Sequence, residues 1–271
     1  MSSESVHSVA EGGSIAARTQ AFWNAHPCDG QESMDALEVY RHRKEPWLPA
    51  FLGKVCAAES EILEIGSGQG TDGLLMCRRL RPGGRYVGLD HSEMSVANAR
   101  RFAEDLGSVL QVQPEFRVGD ARDLPFEDGS IGAIYSMGVL HHVDDTEKTI
   151  AEAYRVLKPG GSFYLGLYNT VSAKLIVAHL LRGLQRGLDL ITGQDRYIFR
   201  KLLTSRYGKR TGTMLHECFG VPVLKSYTAI GMRRLLHAFE VRSLASFGSA
   251  SEGPRAAGYL WVAVARKPLD P

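Results

Sequence analysis

The sequence contains no run of about 18 uncharged apolar residues, the minimum for a bilayer-crossing helix, so no transmembrane span is expected. Its opening, MSSESVHSVAEGGSIAART, lacks the apolar stretch behind basic residues that marks a secretory signal. Cysteine is sparse. Cys28, Cys56, Cys77 and Cys218 are scattered without a CxxC pair or any zinc-like spacing, so no metal site is expected. Together these absences predict a cytoplasmic protein with free thiols. Excess charge is missing as well: 32 Lys and Arg against 30 Asp and Glu leave +2, which offers nucleic acid no bulk attraction. The remaining composition, 44% hydrophobic and 23% charged, is ordinary for a globular fold. The 271 residues suffice for one large domain with an elaboration.

What is present is an alternation. Residues 1–18 read as a Gly/Ser-rich leader, and 19–58 mix aromatics with prolines as short capping helices and turns. From Glu61, short β-branched runs at 61–65, 85–89, 115–118, 131–135 and 162–167 alternate with helical stretches near 71–80, 92–106 and 145–157. That rhythm predicts βαβ units and a parallel sheet over a core at 59–168. KPGG stops the last of these helices. Residues 231–267 add a helix and two strand-like runs, VRSLASF and YLWVAVA, that suit an antiparallel edge hairpin. Residues 169–230 interrupt the pattern and read as an inserted helical lid above the carboxyl ends of the strands, where open α/β sheets bind ligands. In its first helix, 171–191, Ile176, Val177, Leu180, Leu181, Leu184 and Leu188 share one face, while Lys174, Arg182, Gln185, Arg186 and Asp189 share the other. A second helix is expected at 195–206.

The densest signal is LEIGSGQGTD at 63–72, which leaves a strand and enters a helix. Gly66, Gly68 and Gly70 free the backbone to bend sharply and lie against a ligand. A phosphate loop would end in GK[ST], which is absent, and a dinucleotide fingerprint would read GxGxxG rather than GxGxG. Glu64 and Asp72 would repel a pyrophosphate but suit a ligand bearing a sulfonium and an ammonium. Asp90 ends the second strand, where a carboxylate can accept from both hydroxyls of a ribose. Asp120 follows the third strand, placed to accept from an adenine amino group, with Ala121 beside it to offer its backbone. Ser136 and Met137 leave the fourth strand. All four elements fall at strand carboxyl ends.

With these pieces together, LEIGSGQGTD, GLDHS, GDARDLPFEDGSI, YSMGVLHHVDD and AYRVLKPGG resemble class I S-adenosylmethionine-dependent methyltransferases. Within them, the sequence is most similar to the ubiquinone/menaquinone C-methyltransferase-like (type 11) group that methylates small molecules. The resemblance covers about 60–168. It implies a Rossmann-like, seven-stranded, mostly parallel sheet in the order 3-2-1-4-5-7-6 with the last hairpin antiparallel. It also implies that S-adenosylmethionine is the cofactor and S-adenosylhomocysteine the product. Glu64 would order the glycine loop, Gly66 and Gly68 line the methionine portion, Asp90 hold the ribose, and Asp120 and Ala121 hold the adenine. Ser67, Gly70, His91, Ser136, Met137 and His141 complete the expected cofactor set.

In-line methyl transfer needs mainly alignment, with a base only where the acceptor must lose a proton. His142 and His216 are the candidate bases and Tyr168 a candidate orienting group; Tyr40 and Arg43 are candidates to close over the cofactor carboxylate. Residues 182–210 carry eight basic side chains against two acidic ones. A solvated face, an acidic substrate and a membrane surface reached through helix 171–191 all remain open for them. RNA is disfavoured by the few aromatics. The partner expected is a hydrophobic or anionic small molecule. The alternatives are a non-methylating enzyme or a binding module on the same fold. A nicotinamide oxidoreductase is disfavoured by the glycine spacing, and arsenite methylation by the cysteine pattern.

Overall fold

A computed structural model of the chain describes residues 13–27, 33–194, 198, 220–249 and 251–269. The elements in order are α1 (Ile15–Ala25), α2 (Met34–Lys44), α3 (Leu48–Ala58), β1 (Glu61–Ile65), α4 (Thr71–Cys77), β2 (Arg85–Asp90), α5 (Glu93–Leu106) and β3 (Glu115–Val118). Then follow β4 (Ile131–Met137), α6 (Thr146–Val156), β5 (Leu157–Tyr168), α7 (Ala173–Thr192), α8 (Ala229–Leu235), β6 (Glu240–Phe247) and β7 (Leu260–Arg266). Most helices begin on a side-chain cap: Ser14, Ser33, Ser92, Asp145 and Ser172 each accept from a backbone N–H in the first turn.

The seven strands form one sheet in the order β3-β2-β1-β4-β5-β7-β6, parallel except for β7, which runs antiparallel to both neighbours. This is the order the resemblance implied. β1 is buried along nearly all its length because helices cover both sheet faces. Strand side chains alternate accordingly: Ile62, Tyr86 and Tyr135 join the core with α3, α4 and α5, while Leu63, Val87 and Ile134 join α6 and α8. β1 lies between β2 and β4, so the chain reverses its direction of winding there. A crevice at the carboxyl ends follows from that topology.

One local reading changes and one is completed. KPGG does end α6 at Val156, but Leu157 already pairs with Ile131, and the next partners are Ser162 and Ala133. Residues 158–161 are therefore a bulge inside β5, which Gly160 enters at φ 75°. α7 matches the expected helix in extent, and the structure adds which of its faces turns inward. Leu175, Ala178 and Gln185 face inward, whereas Ile176, Val177, Leu180 and Leu184 are about half exposed or more. Arg182 explains the orientation, since its guanidinium donates to the carbonyls of Val221 at 3.0 Å and Pro222 at 3.2 Å. The expected helix at 195–206, Cys28, Cys218 and His216 lie outside the described residues, apart from Ile198. Among the described residues no helix is long and apolar enough to cross a membrane.

Candidate functional site

The groove at the switch point starts from the bend after β1. Gly66, Gly68 and Gly70 all take positive φ, at 78°, 52° and 84°, a region that costs other residues about 1 kcal/mol or more. Each glycine has its own reason. A Cβ on Gly66 would stand 2.2 Å from Cγ1 of Val139, and one on Gly70 would stand 3.0 Å from Phe116. A Cβ on Gly68 would meet nothing within 4 Å and would project into the groove instead. The N–H groups of Gly66 and Ser67 donate to the carbonyl of Leu89 at 2.7 and 3.1 Å. Gly68 donates to Oδ2 of Asp90 at 2.8 Å, and Ser92 donates to Oδ1 at 2.8 Å. The bend is thus ordered by the end of β2. Glu64, expected to do this, instead accepts from the Tyr86 hydroxyl. Burial raises the Asp90 pKa, and those two N–H groups pull it back. The Ser67 hydroxyl is buried in the groove wall without a protein partner among the described residues.

Below the bend lies a buried ionic network that sequence reasoning missed. Arg41 of α2 grips Asp72 with two bonds of 3.0 Å and pairs with Glu45 at 2.6 Å. Tyr135 donates to Asp72 at 2.7 Å, and Tyr259 donates to Glu45. Burial opposes the Arg41 charge, but the carboxylates of Asp72 and Glu45 overcome it and raise its pKa. Burial, and then the Asp72 charge, push the Glu64 carboxyl well above the usual carboxylate range. Arg41, Lys44 and Glu45 line the groove; the candidates Tyr40 and Arg43 do not, and Arg43 is exposed. The signal was in the helical phase. Met34 and Leu37 are the buried face of α2, and Arg41 continues it at the i+3, i+7 spacing.

The far walls come from β3, β4 and β5. His91, Asp120, Ala121, Met137, His142 and Tyr168 all line the groove as expected. Asp120, however, accepts four hydrogen bonds from Arg122 alone, from its backbone N–H and its guanidinium. These contacts come from three N–H groups, the backbone N, Nε and Nη2, so the carboxylate is held against Arg122 and keeps acceptor capacity for a further donor. Three expected lining residues stand back. Gly70 packs on Ala99 and Phe116, and the Ser136 hydroxyl donates to the Ile65 carbonyl at 2.9 Å. His141 is fully buried, stacked on Tyr168 with centroids 3.6 Å apart, and among the described residues neither of its ring nitrogens has a hydrogen-bond partner. Burial and then the neighbouring His142 push its pKa down. Leu140–His142 form a 3-10 turn, whose tight winding sends the adjacent rings to different places.

His142 therefore holds the wall position. Its Nδ1 lies 2.9 Å from the Val223 carbonyl. A carbonyl only accepts, so Nδ1 carries a proton, and in the neutral ring Nε2 is then the acceptor nitrogen. Trp23 reaches the same wall from α1, 5.4 Å from the His142 ring. Lys174, in the first turn of α7, stands over Tyr168 at 4.8 Å and over Tyr259 at 4.5 Å from the ring centroids.

Residues 63–165 match the family model described as a methyltransferase domain. An uncharacterised 37.1 kDa protein of a Streptomyces fradiae transposon is 42% identical over 104 residues, which are 38% of this chain and 29% of that protein. A ubiquinone/menaquinone biosynthesis C-methyltransferase of Rickettsia felis is 33% identical over 132 residues, 48% of this chain and 52% of the relative. The chain thus spans about half the length, or less, of these curated relatives. Among solved structures, a magnesium protoporphyrin IX methyltransferase from Synechocystis PCC 6803 with bound SAH aligns with a TM-score of 0.57 at 14% identity, covering 91% of this chain and 93% of that one. At that identity the likeness shows the fold alone.

Proposed function

The chain belongs, through residues 63–165, to the class I S-adenosylmethionine-dependent methyltransferases, and on that premise we propose that its groove binds S-adenosylmethionine and directs the methyl group to a small-molecule acceptor. The observation that carries the reading is the bend at Gly66–Gly68 tied to the Asp90 carboxylate. Each Asp90 oxygen already takes one backbone N–H at 2.8 Å and keeps a lone pair for one of two neighbouring ribose hydroxyls. The bare Cα of Gly68 lets a ligand lie against the chain, and the Ser67 hydroxyl supplies an otherwise unused hydrogen bond. Arg41, Lys44, Glu45 and Asp72 present both signs of charge at one end, as a zwitterionic amino-acid portion requires. At the other end, the Ala121 backbone and the Leu89 and Val143 side chains offer a slot for a purine.

Bound there, the cofactor supplies a methyl carbon on positively charged sulfur, so the protein has chiefly to align and desolvate. Alignment of this kind is worth about 7–11 kcal/mol in well-oriented systems. Met137, Val139, Tyr168 and Leu260 keep that end of the groove apolar and exclude water. His142, with its tautomer set by the Val223 carbonyl, presents Nε2 to take a proton from an acceptor hydroxyl or amine. Tyr168, with Lys174 Nζ 3.5 Å from its hydroxyl, orients the acceptor.

The test is incubation of the protein with methyl-labelled cofactor and a cell extract, followed by mass spectrometry of the labelled product. Calorimetry with S-adenosylmethionine and S-adenosylhomocysteine runs alongside. A labelled small molecule supports the reading. Absence of binding to both nucleosides, with thermal stabilisation by NADH instead, overturns it.

A further inference from the structure

Residues 221–227, which lead into α8, form no helix, and only Tyr227 makes a strand-like bridge, with Asn169. Irregular backbone must still place its polar groups, and this segment gives them to its neighbours. The carbonyls of Val221 and Pro222 accept from Arg182 of α7 at 3.0 and 3.2 Å. The Val223 carbonyl lies 2.9 Å from His142 Nδ1, and the Lys225 N–H donates to the His141 carbonyl at 2.8 Å. The Tyr227 N–H then donates to the Tyr168 carbonyl at 2.8 Å. The Tyr227 carbonyl accepts from the Thr170 N–H at 3.1 Å and from the Trp261 indole at 3.0 Å. The segment is therefore a strap tied to two walls of the groove, the turn that carries His142 and the end of β5 that carries Tyr168.

One side chain of the strap strengthens the first of these ties. Lys225 Nζ donates to the Asp144 carbonyl at 2.7 Å and to the Thr146 hydroxyl at 3.2 Å. Lys225 thus grips the chain on both sides of His142, at 141 with its backbone and at 144 and 146 with its ammonium. Such charge-assisted bonds are roughly twice as strong as neutral ones. A neutral imidazole carries its one proton on either nitrogen, and the hydrogen bond made by one nitrogen decides the state of the other. The Val223 carbonyl selects the Nδ1–H form only while it stays within reach of that nitrogen, and the Lys225 bonds fix the strap against the turn. We propose that Lys225 is a positioning residue for His142, keeping Nε2 bare at the groove wall. The inference rests on His142 as the base of the reaction proposed above.

The test compares the full-length wild type with Lys225→Met and Lys225→Arg. Heteronuclear NMR of the histidine rings reads which nitrogen carries the proton, the His142 signals being assigned by their loss in His142→Gln. Label transfer from methyl-labelled cofactor into a cell extract reads the chemistry, and calorimetry reads the affinity for S-adenosylmethionine. The wild type should hold His142 as the Nδ1–H form. Lys225→Met should show a mixture of the two tautomers and label transfer slowed about tenfold or more. Lys225→Arg should recover both, because its guanidinium offers donors to the same two acceptors. Cofactor affinity should not change, since Lys225 does not line the groove. Should Lys225→Met fail to fold, Lys225→Gln, which is uncharged but keeps a donor, takes its place with the same expected shift. A proton on Nε2 in the wild type overturns the assignment, as does an unchanged tautomer or an unchanged rate in the variant. So does a loss of cofactor affinity large enough to account for the slower rate. Full label transfer by His142→Gln is a separate failure, which removes His142 as the base and with it the task assigned to Lys225.

Discussion

Asp90→Ala is the substitution that most directly tests how the groove works. In the structure the carboxylate has two tasks. It ties the glycine bend to β2 by accepting from Gly68 and Ser92, both at 2.8 Å, and it faces the groove with its remaining lone pairs. Hydrogen bonds to a charged group are worth about 1.5–3 kcal/mol each. Loss of a single ribose bond at the lower end of that range already weakens S-adenosylmethionine about tenfold. Loss of two, with the bend released, weakens it by about a hundredfold or more. The unliganded protein suffers as well, since two N–H groups lose their acceptor, at about 1–3 kcal/mol each where they are buried. Calorimetry gives the affinity and a thermal scan of the unliganded protein gives the stability, and the two together separate the tasks. Asp90→Asn sharpens the separation, because its amide can accept one of the two N–H groups but must turn an NH2 toward the other. If Asp90→Ala lowers the unfolding midpoint but binds the nucleoside with undiminished affinity, the carboxylate only ties the loop and its ribose role is refuted.

Three further outcomes follow from the buried network. Glu64→Gln keeps an acceptor for Tyr86 while removing a carboxyl whose pKa is raised in the fold by burial and by Asp72. For a raised native pKa the folded state holds the extra proton, so wild-type stability relative to the Gln variant rises as pH falls through the native pKa and levels off below the ordinary carboxylate range; denaturant midpoints measured across that window in the opposite order would exclude it. Gly73→Ala should destabilise by about 1–3 kcal/mol in urea unfolding despite alanine's better helix propensity, because the new Cβ would stand 1.9 Å from the Tyr86 hydroxyl oxygen; a neutral or stabilising result contradicts the packing. Arg41→Met strands Asp72 and Glu45 without their cation and should cost about 3–5 kcal/mol by the same assay, with Arg41→Lys a poor substitute because it cannot grip Asp72 with two bonds; a loss under about 1 kcal/mol would show that the network is not coupled.

What the sequence made legible was set within a few residues of itself. The bend at 66–70 is readable because glycine in the left-handed region is a local requirement, and the strands are readable because apolar runs between breakers need no distant information. Strand order is different. It came through the resemblance, because nothing in the residues of β1 states that β4 rather than β3 lies on its other side. Arg41 was missed in favour of Arg43 because choosing between them needs the phase of α2, which Met34 and Leu37 set by packing on the core. His141 left the expected wall position and only His142 kept to the groove, because a 3-10 turn rotates adjacent side chains by more than an α-helix does, and such a turn has no sequence signature of its own.

The reversal of α7 is the most telling of these departures. Its two faces were correctly drawn from the sequence, which left open which one turns inward. Apolar burial alone would favour the Ile176–Leu184 face. Against it stand the carbonyls of Val221 and Pro222, which Arg182 satisfies, and the Tyr168 and Tyr259 rings, which hold Lys174 by their faces. Polar groups on both sides of that interface would lose their partners if the helix rolled over, at about 1–3 kcal/mol for each one left unsatisfied. Several such losses are of the same order as burying the exposed part of a few aliphatic side chains, at about 1.5–3 kcal/mol for each complete burial, so the polar partners can hold the helix in this orientation. A fold that accepts an exposed apolar stripe in exchange for these bonds departs from the local rule where sequence and structure otherwise agree, and such departures concentrate at functional surfaces. The same balance predicts that Arg182→Leu, by removing the polar anchor, lets α7 roll inward and lowers the exposure of Leu180 and Leu184. Cysteine labelling at those two positions reads this directly, and labelling as fast as in the unaltered helix would show that Arg182 does not set the orientation.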